Sequence, residues 1–594
     1  MKHQPRPRAL LASIGTKDLS LWLILGLLCL GFAWLLPGRN LPWTTFRQEA
    51  VAGFAFCLLG AAALERSSLV VWPRIASLLF GVAAIPLIQW AVGQIHYRDD
   101  AILAASYVAL WALSICIGAS LATGARRQQL LDGLAACFVL AGIASAGIAF
   151  CQWLGPSVWS DWIEPMPARG RPFANIGHPN HLSTLLLIGF AGLLYWYEAR
   201  RINGWCTALG AGWLGWGVVM TQSRTGWLSV GLLATWWLLM RRRAQLRLPL
   251  MALVAGVALF ALAVLSQEAL FAFWNGPTEG PDTAPMVRLN AGTRWVHWPT
   301  LWHALMLSPW VGYGWSQVAN AQFESASLFP TTGEWLTQSH NLVLDLLVYN
   351  GLPLGLLIAA LLFAWFARRA LQCRDSATWC WLLALFVVFL HAMLENPLHY
   401  AYFTLPAGLM MGIVGAASVA SVRTNRFTLA VPATLVALVL SAIAAEYLQA
   451  EEALRDLSLA SSNVGKPVAA LPKPDWKILE GWKAYHAALS MDINGHMPPA
   501  DVGALHDLAA RYPYPNVLSL YAQASALNGH PEAAQAVLVH ACKVHNVVVC
   551  TAMRTWWSRL GDSSPEVRRI PFPATAGSTP SVATSQLEAV QRAD

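Results

Sequence analysis

Three features of this 594-residue sequence predict an all-α, polytopic membrane protein. The chain is 56% hydrophobic and only 12% charged, against about 25% charge in an ordinary soluble domain. Apolar runs recur at the length that crosses a bilayer core, roughly 17–25 residues. Arginines collect in every second connection between those runs, the asymmetry that fixes orientation in a membrane. A soluble enzyme is excluded. The net charge of +8 reads as topology rather than nucleic-acid binding, and the 30 Trp suit aromatic belts at the two interfaces.

About thirteen spans follow from the run lengths. Their approximate limits are 20–37, 50–64, 75–94, 101–123, 129–154, 181–198, 204–220, 226–240, 248–265, 341–366, 378–397, 400–420 and 427–446. The start is basic (Lys2, Arg6, Arg8) with no small-residue cleavage site behind the first run. That run is therefore expected to be a retained signal anchor. An inside N-terminus puts Arg126-Arg127, Arg200-Arg201, Arg241 to Arg243, Arg368-Arg369, and Arg423 with Arg426 in inside loops. An odd number of crossings leaves the C-terminus outside.

The expected division is a membrane domain over 1–446, a helical outside domain over 447–570 and a tail over 571–594. The membrane domain carries a large outside loop at about 266–339, long enough to imply function. In the outside domain, "YPNVLSLYAQASALNGHPEAAQAVLVHAC" reads as two apolar-periodic helices around a turn, similar to one tetratricopeptide unit. The tail is rich in Pro, Ser, Thr and Ala, a composition without enough apolar surface to fold. Most of the ten Cys lie in apolar runs as small core residues; Cys542 and Cys550 lie in the outside domain, where pairing is chemically allowed.

Polar residues near the outside ends of spans are costly and therefore functional candidates. In "RGRPFANIGHPNHLST", Arg169 and Arg171 precede a span starting near His181. Asn180 is expected as a helix cap behind Pro179. A ligand at the same helix start is the competing reading. Zinc on His178 and His181 is disfavoured, because no acidic or Cys third ligand is near. In "TQSRTGWLS", Arg224 is either a snorkelling residue or part of an anion site. Arg288 and Arg294 flank "TRWVHWPTLWHALML", a stretch suited to an interfacial helix, whose His297 and His303 read as packing residues. In "HAMLENPLHYAY", His391, Glu395 and His399 repeat every four residues and are expected on one helix face. Pro397 should end or kink that helix. Glu395 would then face a central cavity with Tyr400 and Tyr402, paired to Arg224, Arg288 or Arg294. Finally, "GEWLTQSHNLVLDLLVYNGLPLG" sets His340 in the first turn of a span. Asp345 lies five residues on, roughly 140° round a helix, and reads as a packing group rather than its partner. Convergent arginines suit phosphate, through their bidentate fork. The ligand so implied is an anionic lipid bearing pyrophosphate.

The stretches "RPFANIGHPNHLSTLLL", "TQSRTGWLS", "GYGWSQ", "SHNLVLDLLVYNGLPLGLL" and "ENPLHYAYFTLPAGLMMG" resemble the bacterial O-antigen ligase and polymerase superfamily. More narrowly, the chain is similar to protein O-oligosaccharyltransferases that glycosylate pilins and other periplasmic proteins. The resemblance implies an inner-membrane enzyme whose catalytic face and C-terminal domain are periplasmic. It implies inverting, metal-independent and cofactor-free transfer of a glycan from undecaprenyl pyrophosphate to a protein hydroxyl. His340 matches the family's "HN" histidine and would be the base, with Glu395 the acid expected to orient it. Arg224, Arg288 and Arg294 would hold pyrophosphate. His178, Asn180, His181, Tyr400 and Tyr402 would bind substrate. Where the family has "GQPNH" this chain has "GHPNH", so His178 replaces a glutamine, although it can still donate a hydrogen bond. The first outside loop, "PGRNLPWTTFRQE", has no D-x-D, and the tail reads "TWWSRL" rather than "WWD". Both departures speak against the metal-dependent N-linked enzymes. A lipopolysaccharide O-antigen ligase or O-antigen polymerase is the alternative. A transporter is less favoured, for want of repeated broken helices.

Overall fold

The computed structural model describes residues 20–65, 67–123, 126–155, 161–166, 170–275, 294–416, 421–461 and 471–573. Arg169, Arg288 and the tail from residue 574 lie outside the described residues. The described residues are mostly helical, at 74%. Each apolar run of the sequence forms a helix, from Leu21–Leu35 to Phe427–Ser461. Among the described residues, 7 helices are long and apolar enough to cross a membrane. The protein is therefore a multi-pass membrane protein.

Side-chain caps set several helix starts. Ser20 accepts from the Leu23 N–H, Asn203 from Cys206, Ser223 from Gly226 and Asp375 from Thr378, at 2.9–3.3 Å. Each satisfies an orphan donor of the first turn. The last apolar helix continues well past residue 446, to Ser461. Among the described residues the one sheet is a two-stranded antiparallel ribbon, Leu69–Pro73 with Ser421–Asn425, paired from Leu69↔Asn425 to Pro73↔Ser421. Its strands are too short to show a period of two in the sequence.

The chain forms two compact units. The first comprises Met1–Ala83, Ser106–Arg288 and Leu361–Ala442. Its central helix, Pro179–Glu198, packs against Arg127–Leu154, Gly204–Met220, Arg224–Met240 and Ser376–Ala392. Almost every position of that helix is buried, so the polar residues of its first turns are buried too. Elsewhere the Arg98–Ala122 and Ala401–Gly415 helices meet through glycines. A methyl group on Gly118, Gly408 or Gly412 would lie 2.4 Å from Leu409 O, 2.5 Å from Ser114 Cβ or 2.3 Å from Ile115 O. Small residues allow this close packing where lipid supplies no hydrophobic drive.

The second unit comprises Ala84–Ala105, Leu289–Ala360 and Ile443–Asp594. Its loop segment contains the helices Arg294–Leu307 and Val318–Ser325. Trp295 and Trp310 are exposed there, at 74% and 77%, in keeping with an interfacial belt. The Leu342–Gln372 helix breaks at Gly351, whose φ of 74° leaves the helical region. The C-terminal part is a stack of short helices, several with proline at the first turn: Pro499–Arg511, Pro515–Leu527 and Pro531–Val544. Proline is pre-organised for that position. Leu505, Leu508, Leu518, Leu538 and Trp557 form the shared core, and Cys542 is bonded to Cys550.

Candidate functional site

In the first unit, polar side chains from three separate stretches converge on the start of the Pro179–Glu198 helix. His178 is the N-cap and makes no side-chain cap bond. Pro179 occupies the first helical position, so Asn180 falls inside the first turn. Its side chain is then free to reach away from the helix, and Nδ2 donates to Glu395 Oε1 at 2.9 Å. Asn180 is not the cap expected from the sequence. Proline's preference for the first helical position moved the boundary by two residues.

Glu395 is buried, at 6% exposure. The Ser376–Ala392 helix stops before it, and residues 397–399 form a 3-10 turn. His391, Glu395 and His399 therefore do not share one helix face. The residue before a proline resists the α conformation, which carries the break upstream of Pro397. Arg171 lies within electrostatic reach of both Glu395, which attracts it, and Arg224, which repels it. Arg171 also donates to Gln222 O at 3.3 Å. The sequence reading offered Arg224, Arg288 or Arg294 for Glu395 and passed over Arg171. In space the carboxylate meets Asn180 and feels Arg171.

Aromatic rings line the same cluster. His181 lies 4.8 Å from both His178 and Tyr400, and 5.3 Å from His391. Tyr400 stacks on Tyr402 at 5.3 Å, and Thr184 Oγ1 bonds His391 Nδ1 at 2.7 Å. Beneath the tyrosines, Glu49 accepts from Tyr107 at 3.0 Å and from the Ala401 N–H at 2.6 Å. Nothing in the sequence around Glu49 pointed to these two bonds, because Tyr107 and Ala401 are 58 and 352 residues away. Arg224 is exposed in the first turn of its helix. A cation at the positive end of a helix dipole is unfavourable, and Arg171 adds a second positive charge. An anion bound there would relieve both.

His340 belongs to the second unit. The helix begins at Leu342, so His340 lies before it rather than in its first turn. Asn341 is the cap, with Oδ1 accepting from Val343 and Leu344 N–H at 3.0 Å. His340 adopts φ 57°, a left-handed conformation that histidine tolerates better than most residues. The flanking backbone is fastened on both sides. Trp298 Nε1 donates to Ser339 O at 2.9 Å, and Ser339 N–H donates to Asp345 Oδ1 at 2.7 Å. Asp345 thus reaches back over the helix start, in electrostatic reach of His340. Arg294 sits one turn before Trp298 on the Arg294–Leu307 helix, so the two share a face. His297 and His303 bond Glu334 and Ser325 at 3.1 Å.

Buried polar clusters and arginines at helix starts on an apolar helical scaffold make these residues the candidate site. Comparison with known proteins gives the class. Residues 209–359 match the family described as O-antigen ligase. Residues 378–547 match the C-terminal region of virulence factor membrane-bound polymerases, and residues 172–197 match protein glycosylation ligases. Those matches include His340, Glu395 and Asn180 respectively. The general O-oligosaccharyltransferase of Acinetobacter baylyi is 30% identical over 401 residues, covering 67% of this chain and 70% of its own length. The ComP-specific O-oligosaccharyltransferase of the same organism is 28% identical over 415 residues, covering 68% and 73%. The chain belongs to the O-oligosaccharyltransferase family. It is a glycosyltransferase that acts on proteins.

Proposed function

We propose that the chain transfers a preassembled glycan en bloc from undecaprenyl pyrophosphate to Ser or Thr hydroxyls of periplasmic proteins such as pilin. A hydroxyl is a weak nucleophile and needs a base poised near neutral pH. His340 takes the hydroxyl proton as the oxygen attacks the anomeric carbon. The bond from that carbon to the pyrophosphate oxygen breaks, configuration inverts, and undecaprenyl pyrophosphate leaves. Arg224, Arg288 and Arg294 stabilise the leaving charge, in place of a metal, and Arg171 joins them. Glu395 orients the polar cluster with Asn180. Asp345 is the competing candidate to orient His340, because its carboxylate is held beside that residue. His178 and Tyr400 contact the sugars, and His181 and Tyr402, expected from the sequence to do so, are buried at 3% and 1% exposure and support Tyr400 from behind.

The observation that carries this reading is the fastening of His340 at the lip of a membrane helix, by Trp298, Asn341 and Asp345. An apolar cavity of about 700 Å³ supports the lipid donor. It lies among the Pro179–Glu198, Gly204–Met220, Arg224–Met240 and Leu250–Asn275 helices, with Leu186, Trp216, Leu233 and Phe260 on its wall. Its chemistry suits a polyprenyl chain.

The topology proposed is thirteen spans in the bacterial inner membrane, N-terminus cytoplasmic, catalytic face and C-terminus periplasmic. The domains are 1–446 for the membrane ligase, 447–570 for the periplasmic helices and 571–594 for the tail. Two observations support it. The ribbon joins the connection at 69–73 to that at 421–425, which requires an even number of crossings between them. The helices from Arg74–Ala91 to Ala401–Gly415, leaving out the two short loop helices, supply one. The Cys542–Cys550 bond suits an oxidising compartment.

The O-antigen ligase and polymerase matches favour a second reading, glycan transfer to lipopolysaccharide. Deletion of the gene separates the two. Mass spectrometry should show periplasmic proteins losing their glycan while lipopolysaccharide keeps its O-antigen. The opposite pattern would sink the protein-acceptor reading.

A further inference from the structure

The C-terminal helices grip the chain just upstream of His340. We propose that the C-terminal domain is a clamp that fixes the His340 segment for transfer, with Lys543 and Arg511 as positioning residues. The inference rests on His340 being the base.

All of the contacts lie in the second unit. The Arg98–Ala122 helix opens with Asp99 and Asp100, carboxylates favoured at the positive end of a helix. Asp100 is buried and takes a two-pronged bond from Arg511, Nε to Oδ2 and Nη2 to Oδ1, both at 2.6 Å. The same carboxylate accepts from Gln317 Nε2 at 3.0 Å. One acid thereby joins the C-terminal domain to the start of the Val318–Ser325 helix. Gln317 also donates to Trp315 O, and Trp315 Nε1 donates to Asn350 Oδ1 at 2.9 Å. Asn350 lies at the kink of the helix that begins just after His340.

The grip repeats along the following residues. Phe323 packs on His540 at 4.5 Å between ring centroids. Lys543 Nζ donates to Phe329 O at 2.7 Å, and Lys543 O accepts from the Thr332 and Gly333 N–H groups at 3.1 and 3.2 Å. Trp335 meets the ring of Tyr514 at 5.3 Å. Gln322 then closes the segment on itself, donating to Glu334 O at 3.0 Å and accepting from Leu336 N–H at 2.8 Å. Leu336 is buried, at 2% exposure. From there to His340 the chain spans four residues, at most about 14 Å when extended. A segment fixed at so many points transmits a shift at residue 329 or 333 to the imidazole. A domain that only captured acceptors would need none of these bonds to the loop.

The test uses full-length enzyme in detergent, with lipid-linked glycan and an acceptor protein. Lys543→Met keeps the aliphatic stem and the backbone carbonyl but removes the bond to Phe329. Its kcat should fall on the order of tenfold, the scale of a small misplacement, with both KM values unchanged. Hydrogen exchange at 329–341 should quicken while exchange in the Pro515–Leu527 helix does not. Lys543→Arg should recover most of the rate. Arg511→Met should show the same kcat pattern and faster exchange at 317–323. A higher acceptor KM with normal kcat would overturn the proposal in favour of a docking role. So would normal kcat per folded molecule beside a lowered melting temperature. His340→Asn is measured in parallel. If it stays active the base assignment fails, and the exchange data still decide whether the clamp exists.

Discussion

His340 combines a reactive ring with a backbone conformation that most side chains avoid, φ 57°. Mutation to alanine therefore alters two things at once. Asparagine tolerates the left-handed region but cannot serve as a base. His340→Asn should leave membrane insertion and melting temperature unchanged and cut transfer by roughly 10²–10⁴-fold, the usual contribution of a general base. Transfer near the normal rate in a reconstituted assay would remove His340 from the mechanism. The arginines make a different prediction. Arg171→Ala and Arg224→Ala should raise the donor KM more than they lower kcat, because the charge they supply meets pyrophosphate in the ground state as well. A normal donor KM in both would argue against an anion site at the Arg224–Met240 helix start. His340 was legible in the sequence because its neighbours are local, "TQSHN" followed by an apolar run. Arg171 was noted only as preceding a span, not as a partner of Glu395. Its significance comes from Glu395 and Arg224, which only folding brings near.

At the scale of elements, the apolar runs announced the helices, and their polar ends supplied the candidate site. Boundaries were harder to read, for reasons that recur. Proline at Pro179 and Pro397 shifted a start and an end, which turned Asn180 from a cap into a partner of Glu395. The break at Gly351 lies inside a run that is apolar throughout. The glycine contact between the Arg98–Ala122 and Ala401–Gly415 helices was also invisible, since glycine says nothing of what faces it. Gly412→Val tests that contact. The added carbon atoms meet the Ile115 carbonyl, and overpacking costs about 1–3 kcal/mol. The variant should express poorly and melt earlier, whereas the same change at Gly53, where nothing lies within 4 Å, should be tolerated. The C-terminal helices respond to pH. His540 is 3% exposed, and neither ring nitrogen has a hydrogen-bond partner among the described residues. Burial, with a smaller push from His545, lowers its pKa to about 3. The unfolded chain takes up a proton near pH 6.5 that the folded domain refuses, so stability is lost as pH falls from about 6.5 towards 3. Burial of His486 and His545 acts in the same direction. Unfolding midpoints at pH 7.5 and 5.5 should therefore differ clearly in the native chain and less in His540→Leu. An equal difference in both would show that His540 titrates freely.

For the whole molecule, one constraint comes from outside the helices. Arginine-rich loops argue for an orientation only statistically. The ribbon is a contact argument: strands 69–73 and 421–425 are hydrogen-bonded, so both must lie on one side of the bilayer. Arg423 lies in that ribbon and Arg426 just after it, so the orientation proposed from the arginines places the ribbon on the cytoplasmic side. In the proposed thirteen-span topology the Phe427–Ser461 helix then runs outward and carries the C-terminal helices with it. Cysteine labelling in intact cells with a membrane-impermeant maleimide checks each step, on a background in which the exposed Cys57 and Cys206 are serine. Cysteines at Leu41 and Asp492, exposed in the first outside loop and the C-terminal domain, should react before lysis. Cysteines at Asn203 and Val422, exposed in segments assigned to the inside, should react only after it. Labelling of Val422 and Asp492 from the same side would mean that the last helix does not cross. The C-terminal helices would then lie opposite the proposed periplasmic chemistry, and both the acceptor and the clamp readings would fall together.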